Sequence, residues 1–289
     1  GKFSNSFRAI HGENDGLPGV VVDVYDSTAV LQTYASSMDQ WGRAAAARVA
    51  EQLELPHILW KDPAKRQSKG TRKTRVLKGS PPELATVREG KLEFSVEVSS
   101  GQKSGLFLDL RHLRKWIGLS KLTGKRVLNL FAYTGTLSLA AEKAGAKEIW
   151  NVDVSKGALD FGKKQHALGK AHVKWIKEDV FQFVRNLDPE QKFDLIVFDP
   201  PNMAAEKGQV KEALAVYRRM YAKLREHVTP KGFIVACCCT SRITRSEFKT
   251  SVENGVQLKL KFSKALLPEE DHPVSFPQGD YLKVLIYQA

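Results

Sequence analysis

The sequence predicts an α/β fold: a mostly parallel, Rossmann-like sheet preceded by a smaller α+β domain. Three observations carry this. Residues 195–198 form an unbroken apolar run that ends in Asp199-Pro200-Pro201, as expected of a central strand covered on both faces and stopped by residues that cannot extend a ladder. Residues 126–145 read as strand, tight turn and helix. From about residue 122, strand and helix patterns alternate, with roughly 20 to 30 residues per unit, the texture of βαβ repeats.

The elements follow in order. Residues 20–25 and 29–34 alternate as a hairpin about Asp26-Ser27, then a helix is expected over 38–53 and strands over 57–60 and near 92–98. This α+β pattern defines a first domain over 1–98, and residues 99–289 form the second. Their junction, 99–114, holds two glycines and a polar run ahead of an amphipathic helix that starts at Asp109. In the second domain the strands are 127–131, 148–152, 173–176, the run before Asp199 and a segment after Phe233. Leu137, Leu139, Ala140 and Ala144 give the helical stripe after the first of these. Residues 281–288 read as an edge or inserted strand.

At 289 residues and 42% hydrophobic, the chain exceeds a usual single domain and can bury a full core. No apolar run approaches a membrane span. No secretory signal is visible, and Gly1 in place of Met points to processing, renumbering or trimming. The three cysteines are adjacent, Cys237, Cys238 and Cys239, poor geometry for a disulfide and without zinc-ligand spacing. A reducing, cytoplasmic location is expected. The net charge of +13, with 45 basic against 32 acidic residues, and a pI of about 9.6 point to a polyanionic partner. Basic residues concentrate between Lys61 and Lys78, where Asp62 is the one acid. Lys65, Arg66, Lys69, Arg72, Lys73 and Arg75 are the candidates for phosphate contacts without sequence preference; a solvated surface loop is the plain alternative.

The candidate site lies where open α/β sheets bind ligands, beyond the strand carboxyl ends. Asp199 is placed there. Gly135, in the turn Thr134-Gly135-Thr136, lets backbone approach a ligand. Asp153, at the tip of the second strand of this sheet, can accept from both hydroxyls of a ribose. The three spaced glycines of a dinucleotide site are absent, which favours S-adenosylmethionine. Asp179 can accept from an adenine amino group with Val180 or Phe181 over the ring; it reads equally as the N-cap of the next helix. Lys103 or Arg111 can pair with a carboxylate, such as that of a methionine moiety; a plain linker is the alternative.

With these motifs assembled, the chain resembles the bacterial large-subunit ribosomal RNA methyltransferases of the cytosine-carbon-5 type, class I enzymes that use S-adenosylmethionine. The resemblance rests on His11-Gly-Glu-Asn-Asp-Gly-Leu-Pro-Gly19, Gly101-Gln-Lys-Ser-Gly-Leu-Phe-Leu-Asp-Leu-Arg111, Asn129-Leu-Phe-Ala-Tyr-Thr-Gly135, Asp153-Val-Ser155, Asp199-Pro-Pro201, and Asp271-His-Pro-Val274 with the Phe276 to Lys283 segment. It implies cofactor contacts from Lys103, Ser104, Phe107 and Arg111, from Asn129, Phe131, Tyr133, Thr134 and Gly135, from Asp153, Val154 and Ser155, and from Asp179, Val180 and Asp199. It also implies ribosomal RNA as the partner. Three features depart from the family pattern. Its members usually carry an amino-terminal RNA-binding domain of the PUA type, whereas this chain starts almost at His11, the domain being lost or the sequence a fragment. Met203 stands where an aromatic residue is frequent, and the usual Cys-Ser-Cys-Ser segment reads Cys237-Cys-Cys-Thr240.

The resemblance makes Cys239 the nucleophile, with Asp199 and Pro200 beside the target base. Strand alternation puts Cys237 and Cys239 on one side and Cys238 on the other; three small buried hydrophobes are the plain alternative. Methylation of a guanine nitrogen without a cysteine, action on a small molecule or protein, and a non-catalytic RNA-binding relative are the rivals. His272 either shapes the site or holds the turn before Pro273. Oligomeric state stays open, a homodimer included.

Overall fold

The structure is a computed structural model that describes residues 4–61, 74–99, 105–166, 169 and 171–289. The chain divides into two compact units. The first comprises Gly1–Arg111 and Glu269–Gly279; the second comprises His112–Pro268 and Asp280–Ala289. The division therefore falls at 111/112, beyond the 98/99 junction expected from texture, and the first unit takes back a segment from near the carboxyl end. Side-chain bonds explain that return. Arg8 donates its backbone amide to Asp271 at 3.0 Å, Arg111 reaches Asp271 at 2.9 Å, and Asn14 accepts from the Ser275 amide at 3.0 Å. Among the described residues no helix is long and apolar enough to cross a membrane.

In the first unit, β1 (Ser6–His11), β2 (Val20–Tyr25), β3 (Thr28–Thr33), β4 (His57–Lys61) and β5 (Thr74–Lys78) form a sheet in that order. The expected hairpin is β2–β3, with Tyr25 opposite Thr28 and Asp26 in the left-handed region. Helix α1 (Asp39–Gln52) makes the crossover to β4, which is parallel to β3. Its Gly42 lies so close to β3 that an added Cβ would stand 2.6 Å from Thr33. Val20, Val22, Leu31, Ala46, Ala50 and Ile58 belong to the core between them. All of β2 is buried, Asp23 included, because Arg8 holds its carboxylate at 2.7 Å. A separate antiparallel hairpin pairs β6 (Leu84–Glu89) with β7 (Leu92–Glu97).

In the second unit, α2 (Arg111–Leu119) leads into β8 (Arg126–Leu130), α3 (Thr136–Lys143), β9 (Glu148–Asp153), α4 (Lys156–Gln165), β10 (His172–Lys177), α5 (Val180–Asn186), β11 (Phe193–Phe198), α6 (Val210–Leu224), β12 (Val228–Cys238), α7 (Arg245–Val256), β13 (Lys261–Leu266) and β14 (Lys283–Gln288). The strand order is β10-β9-β8-β11-β12-β14-β13. The first five strands in that order run parallel, and β14 is antiparallel to both neighbours. The order reverses between β8 and β11, which makes their carboxyl ends the switch point where such sheets open a crevice. Of the two readings of 281–288, insertion is the observed one. The edge is β13, with Lys261 and Lys264 among its exposed residues, a common protection of an unpaired edge.

Candidate active site

The turn after β8 is shaped by its surroundings. Asn129 is buried and donates to Ser138 of α3 at 3.0 Å and Asn151 of β9 at 3.2 Å; Ser138 donates to Asn151 at 2.6 Å. This polar triangle ties β8, α3 and β9 together directly behind the turn. Phe131, Tyr133 and Gly135 all adopt left-handed backbone, with φ of 59°, 51° and 77°. Two of these are not glycine, a conformation that persists only where surroundings enforce it. The enforcing contacts are visible. Ala132 donates its amide to the Val152 carbonyl at 3.1 Å, and Tyr133 donates its amide to Asp153 Oδ2 at 2.8 Å. An added Cβ on Gly135 would meet Trp175 at 2.8 Å. Thr134 is buried, and α4 packs on it: a Cβ on Gly162 would stand 2.1 Å from the Thr134 carbonyl.

Asp153 is 8% exposed, and each carboxylate oxygen takes one backbone amide, Tyr133 on Oδ2 and Ser155 on Oδ1, both at 2.8 Å. A carboxylate has about four acceptor sites, so capacity for a diol remains. Ser155 caps α4 by accepting from Ala158 at 3.3 Å, and Val154, between Asp153 and Ser155, is exposed. Asp179 caps α5, accepting from Gln182 at 2.8 Å. The Val180 side chain lies wholly within the core, whereas Phe181 packs on Phe131 and Phe198 at ring distances of 5.5 and 6.4 Å. Of the two residues proposed to cover a base, only Phe181 is partly open.

The ends of β11 and β12 meet beside this turn. The Asp199 amide donates to the Leu130 carbonyl at 3.4 Å, extending the β8–β11 pairing. Pro200 is buried. The Cys239 thiol donates to the Pro200 carbonyl at 3.5 Å, and Thr240 donates to Asn202 at 2.9 Å. Asn202 also accepts the Ala204 amide at 3.0 Å, fixing the turn after the prolines. Cys237 and Cys238 are fully buried; Cys239, just past the last strand residue, is half-buried. Burial, then the charge Cys238 would carry, pushes the Tyr217 phenol up, so Tyr217 stays neutral beside Cys238. Sequence reading missed Asn202 as a brace and Lys283 as a buried clamp on Thr240, which donates to its carbonyl at 2.7 Å.

Other candidates fall elsewhere. Phe107 and Arg111 belong to the first unit. Arg111 is buried there against Asp271 at 2.9 Å, Glu269 at 3.4 Å and Glu89 at 3.7 Å. Its guanidinium is thus engaged by its own unit's carboxylates. His272 is buried, bonded to Asp271 at 2.9 Å, with its ring 5.0 Å from that of His11; it holds this cluster. Lys103 and Ser104 lie outside the described residues, as do Lys65, Arg66, Lys69, Arg72 and Lys73. Arg75, on β5, sits over the Trp60 ring at 5.2 Å, and Arg43 contacts the same ring at 5.4 Å.

A family model for S-adenosylmethionine-dependent methyltransferases matches residues 24–287. The chain belongs to this family. It is an S-adenosylmethionine-dependent methyltransferase, and the donor set agrees with that cofactor: a buried carboxylate with spare acceptor sites at the tip of β9 and a left-handed turn after β8. The chain is 34% identical to ribosomal RNA large subunit methyltransferase I of Shewanella amazonensis, over 97% of this chain and 74% of that protein. The protein of the same name from Alteromonas mediterranea is 31% identical, over 99% and 75%. Among solved structures, SMU.776 complexed with SAH superposes with a TM-score of 0.86 at 25% identity, covering 100% of this chain and 76% of that one.

Proposed function

We propose that the methyltransferase transfers a methyl group to carbon 5 of a cytosine in large-subunit ribosomal RNA, with Cys239 as nucleophile. The observation that carries the reading is the half-buried Cys239 thiol on the Pro200 carbonyl, next to Asp199. Two curated relatives named for large-subunit ribosomal RNA support the substrate class, as does the +13 net charge.

Carbon 5 of a pyrimidine is a poor nucleophile. The Cys239 thiolate adds to carbon 6, and the electron pair moves to carbon 5. Bound S-adenosylmethionine would supply the sulfonium methyl to that electron pair, its methyl–sulfur bond breaking to leave the neutral thioether. A base then removes the carbon-5 proton, and Cys239 leaves as carbon 6 regains its double bond. Asp199 accepts from the amino edge of the base. Asp153 holds the ribose hydroxyls of the cofactor, with the Phe131–Gly135 turn, Asp179 and Ser155 around it. Lys103 and Arg111 stand as candidates for its methionine carboxylate, Arg111 the weaker because of its existing partners, and Ser104 and Phe107 as further cofactor contacts. Lys65, Arg66, Lys69, Arg72, Lys73 and Arg75 take phosphates, and the target base leaves its stack to enter the crevice.

The test is methyl transfer from labelled S-adenosylmethionine to unmodified ribosomal RNA, followed by digestion to nucleosides. Label in 5-methylcytosine that vanishes in Cys239→Ala, with cofactor binding retained, is the expected result. Label in a guanine derivative, or near-normal turnover by Cys239→Ala, overturns the thiolate route.

A further inference from the structure

We propose that Lys283 is a positioning residue for Cys239: its buried ammonium fixes the strand end that carries the thiol and holds a positive charge where a thiolate forms. The inference rests on the reading of Cys239 as nucleophile.

Lys283 is the first residue of β14 and stands opposite Cys238 in the ladder. It is 1% exposed. Its Nζ donates to the carbonyls of Thr240 at 2.7 Å, Asp280 at 2.5 Å and Tyr281 at 3.5 Å. The Thr240 contact clamps the residue after Cys239, so the thiol is held from both flanks: by β12 before it and by the ammonium after it. All three acceptors are neutral carbonyls. Among the described residues Lys283 forms no ion pair, because the Asp280 carboxylate is taken by Arg245 at 2.6 Å and Glu247 closes the cap of α7 on Thr244. A buried cation without a paired carboxylate is costly, and a purely apolar clamp would fill the same space. What the charge offers is its field.

That field reaches the cysteines. Burial pulls the Lys283 pKa down, and Cys238, Asp280 and Cys239 oppose this. Cys237 and Cys238 are fully buried and Cys239 is half-buried, so Cys239 is the thiol open to a reagent. As a thiol, Cys239 donates to the Pro200 carbonyl, which favours the protonated form. Asp199, after β11, has the same sign of effect. Tyr217 and Tyr221 on α6 are neutral, their phenols pushed up by burial first. Lys283 on β14 interacts with Cys239, and Arg245 on α7, the cation that acts on Lys283, is paired with Asp280. Lys283 is therefore the group that offsets the cost of deprotonation, the proton passing to water before the sulfur attacks.

The experiment is the pH dependence of Cys239 alkylation by iodoacetamide in the intact chain, localised by mass spectrometry and run without RNA. The expected midpoint lies below the ordinary thiol value of about 8.5. Lys283→Met raises it by about 1 pH unit or more and leaves the high-pH rate unchanged; Lys283→Arg stays near the wild type. A wild-type midpoint at or above about 8.5, or equal midpoints in wild type and Lys283→Met, overturns the proposal. If Lys283→Met does not fold, the wild-type midpoint decides by itself. A low, Lys283-dependent midpoint together with label in a guanine product would sink the cytosine reading and leave the thiolate assignment standing.

Discussion

Asp153 joins the loops after β8 and β9 through one amide on each carboxylate oxygen, so on the proposed reading a substitution there acts on the cofactor and its cradle together. A hydrogen bond to a charged group contributes about 1.5–3 kcal/mol. Asp153→Ala is accordingly expected to weaken S-adenosylmethionine binding by about 10- to 100-fold, read by titration calorimetry, and to lower the melting temperature, because the Tyr133 and Ser155 amides lose their acceptor. Two histidines set a pH dependence. Burial lowers the His11 pKa to about 4, with Arg8 and His272 adding to it, and burial lowers His166 to about 4. Their ordinary value is 6.5, so the folded chain binds fewer protons than the unfolded one. Their contribution is complete above pH 6.5 and is lost as pH falls toward 4. Thermal unfolding should show a falling melting temperature across that window, and His166→Leu should flatten the slope. The placement of Asp153, Asp199 and Cys239 at strand ends was legible in the sequence because motif and strand end coincide. Asn202 and Lys283 were not, because their partners lie 38 and 43 residues away in the chain.

At the scale of elements, α4 is fitted to the turn after β8 through Gly162. A methyl group there collides with the Thr134 carbonyl and with Trp175, at 2.1 and 2.9 Å. Gly162→Ala should cost about 1–3 kcal/mol of stability and weaken cofactor binding by displacing the turn. Gly157→Ala, on the same helix with nothing within 4 Å, should be neutral or stabilising by about 0.4–1 kcal/mol. Chemical denaturation of the two variants separates packing from propensity. The central strands β8, β9 and β11 were readable as apolar runs bounded by turn residues. The start of β12 was hidden by Pro230 and Gly232, where its pairing with β11 shifts register between Phe193 and Leu195. The edge strand β13 was hidden by its exposure, since it carries no buried face to give a period.

For the whole molecule, the charge excess predicts salt-dependent binding. With a net charge of +13, affinity for ribosomal RNA fragments should fall linearly on logarithmic axes as salt rises. Neutralising Lys65, Arg66, Lys69, Arg72 and Lys73 should make the slope shallower by about 0.7 for each single-strand phosphate that these side chains neutralise; an unchanged slope in filter binding would remove this stretch from the interface. The sequence by itself determined the α/β class, the Asp-Pro-Pro strand end, the acid at the tip of β9 and the family, because these depend on local pattern and short spacing. Tertiary structure decided which unit owns Arg111 and the Asp271-His272 pair, where β14 inserts, and that Val180 belongs to the core. It also decided that Cys239 leaves the ladder toward Pro200 while Cys237 and Cys238 stay buried. Those outcomes depend on hydrogen bonds and packing between residues far apart in the chain: Arg111 is set by Asp271, 160 residues on, and the cysteine strand end is set by a lysine on the last strand.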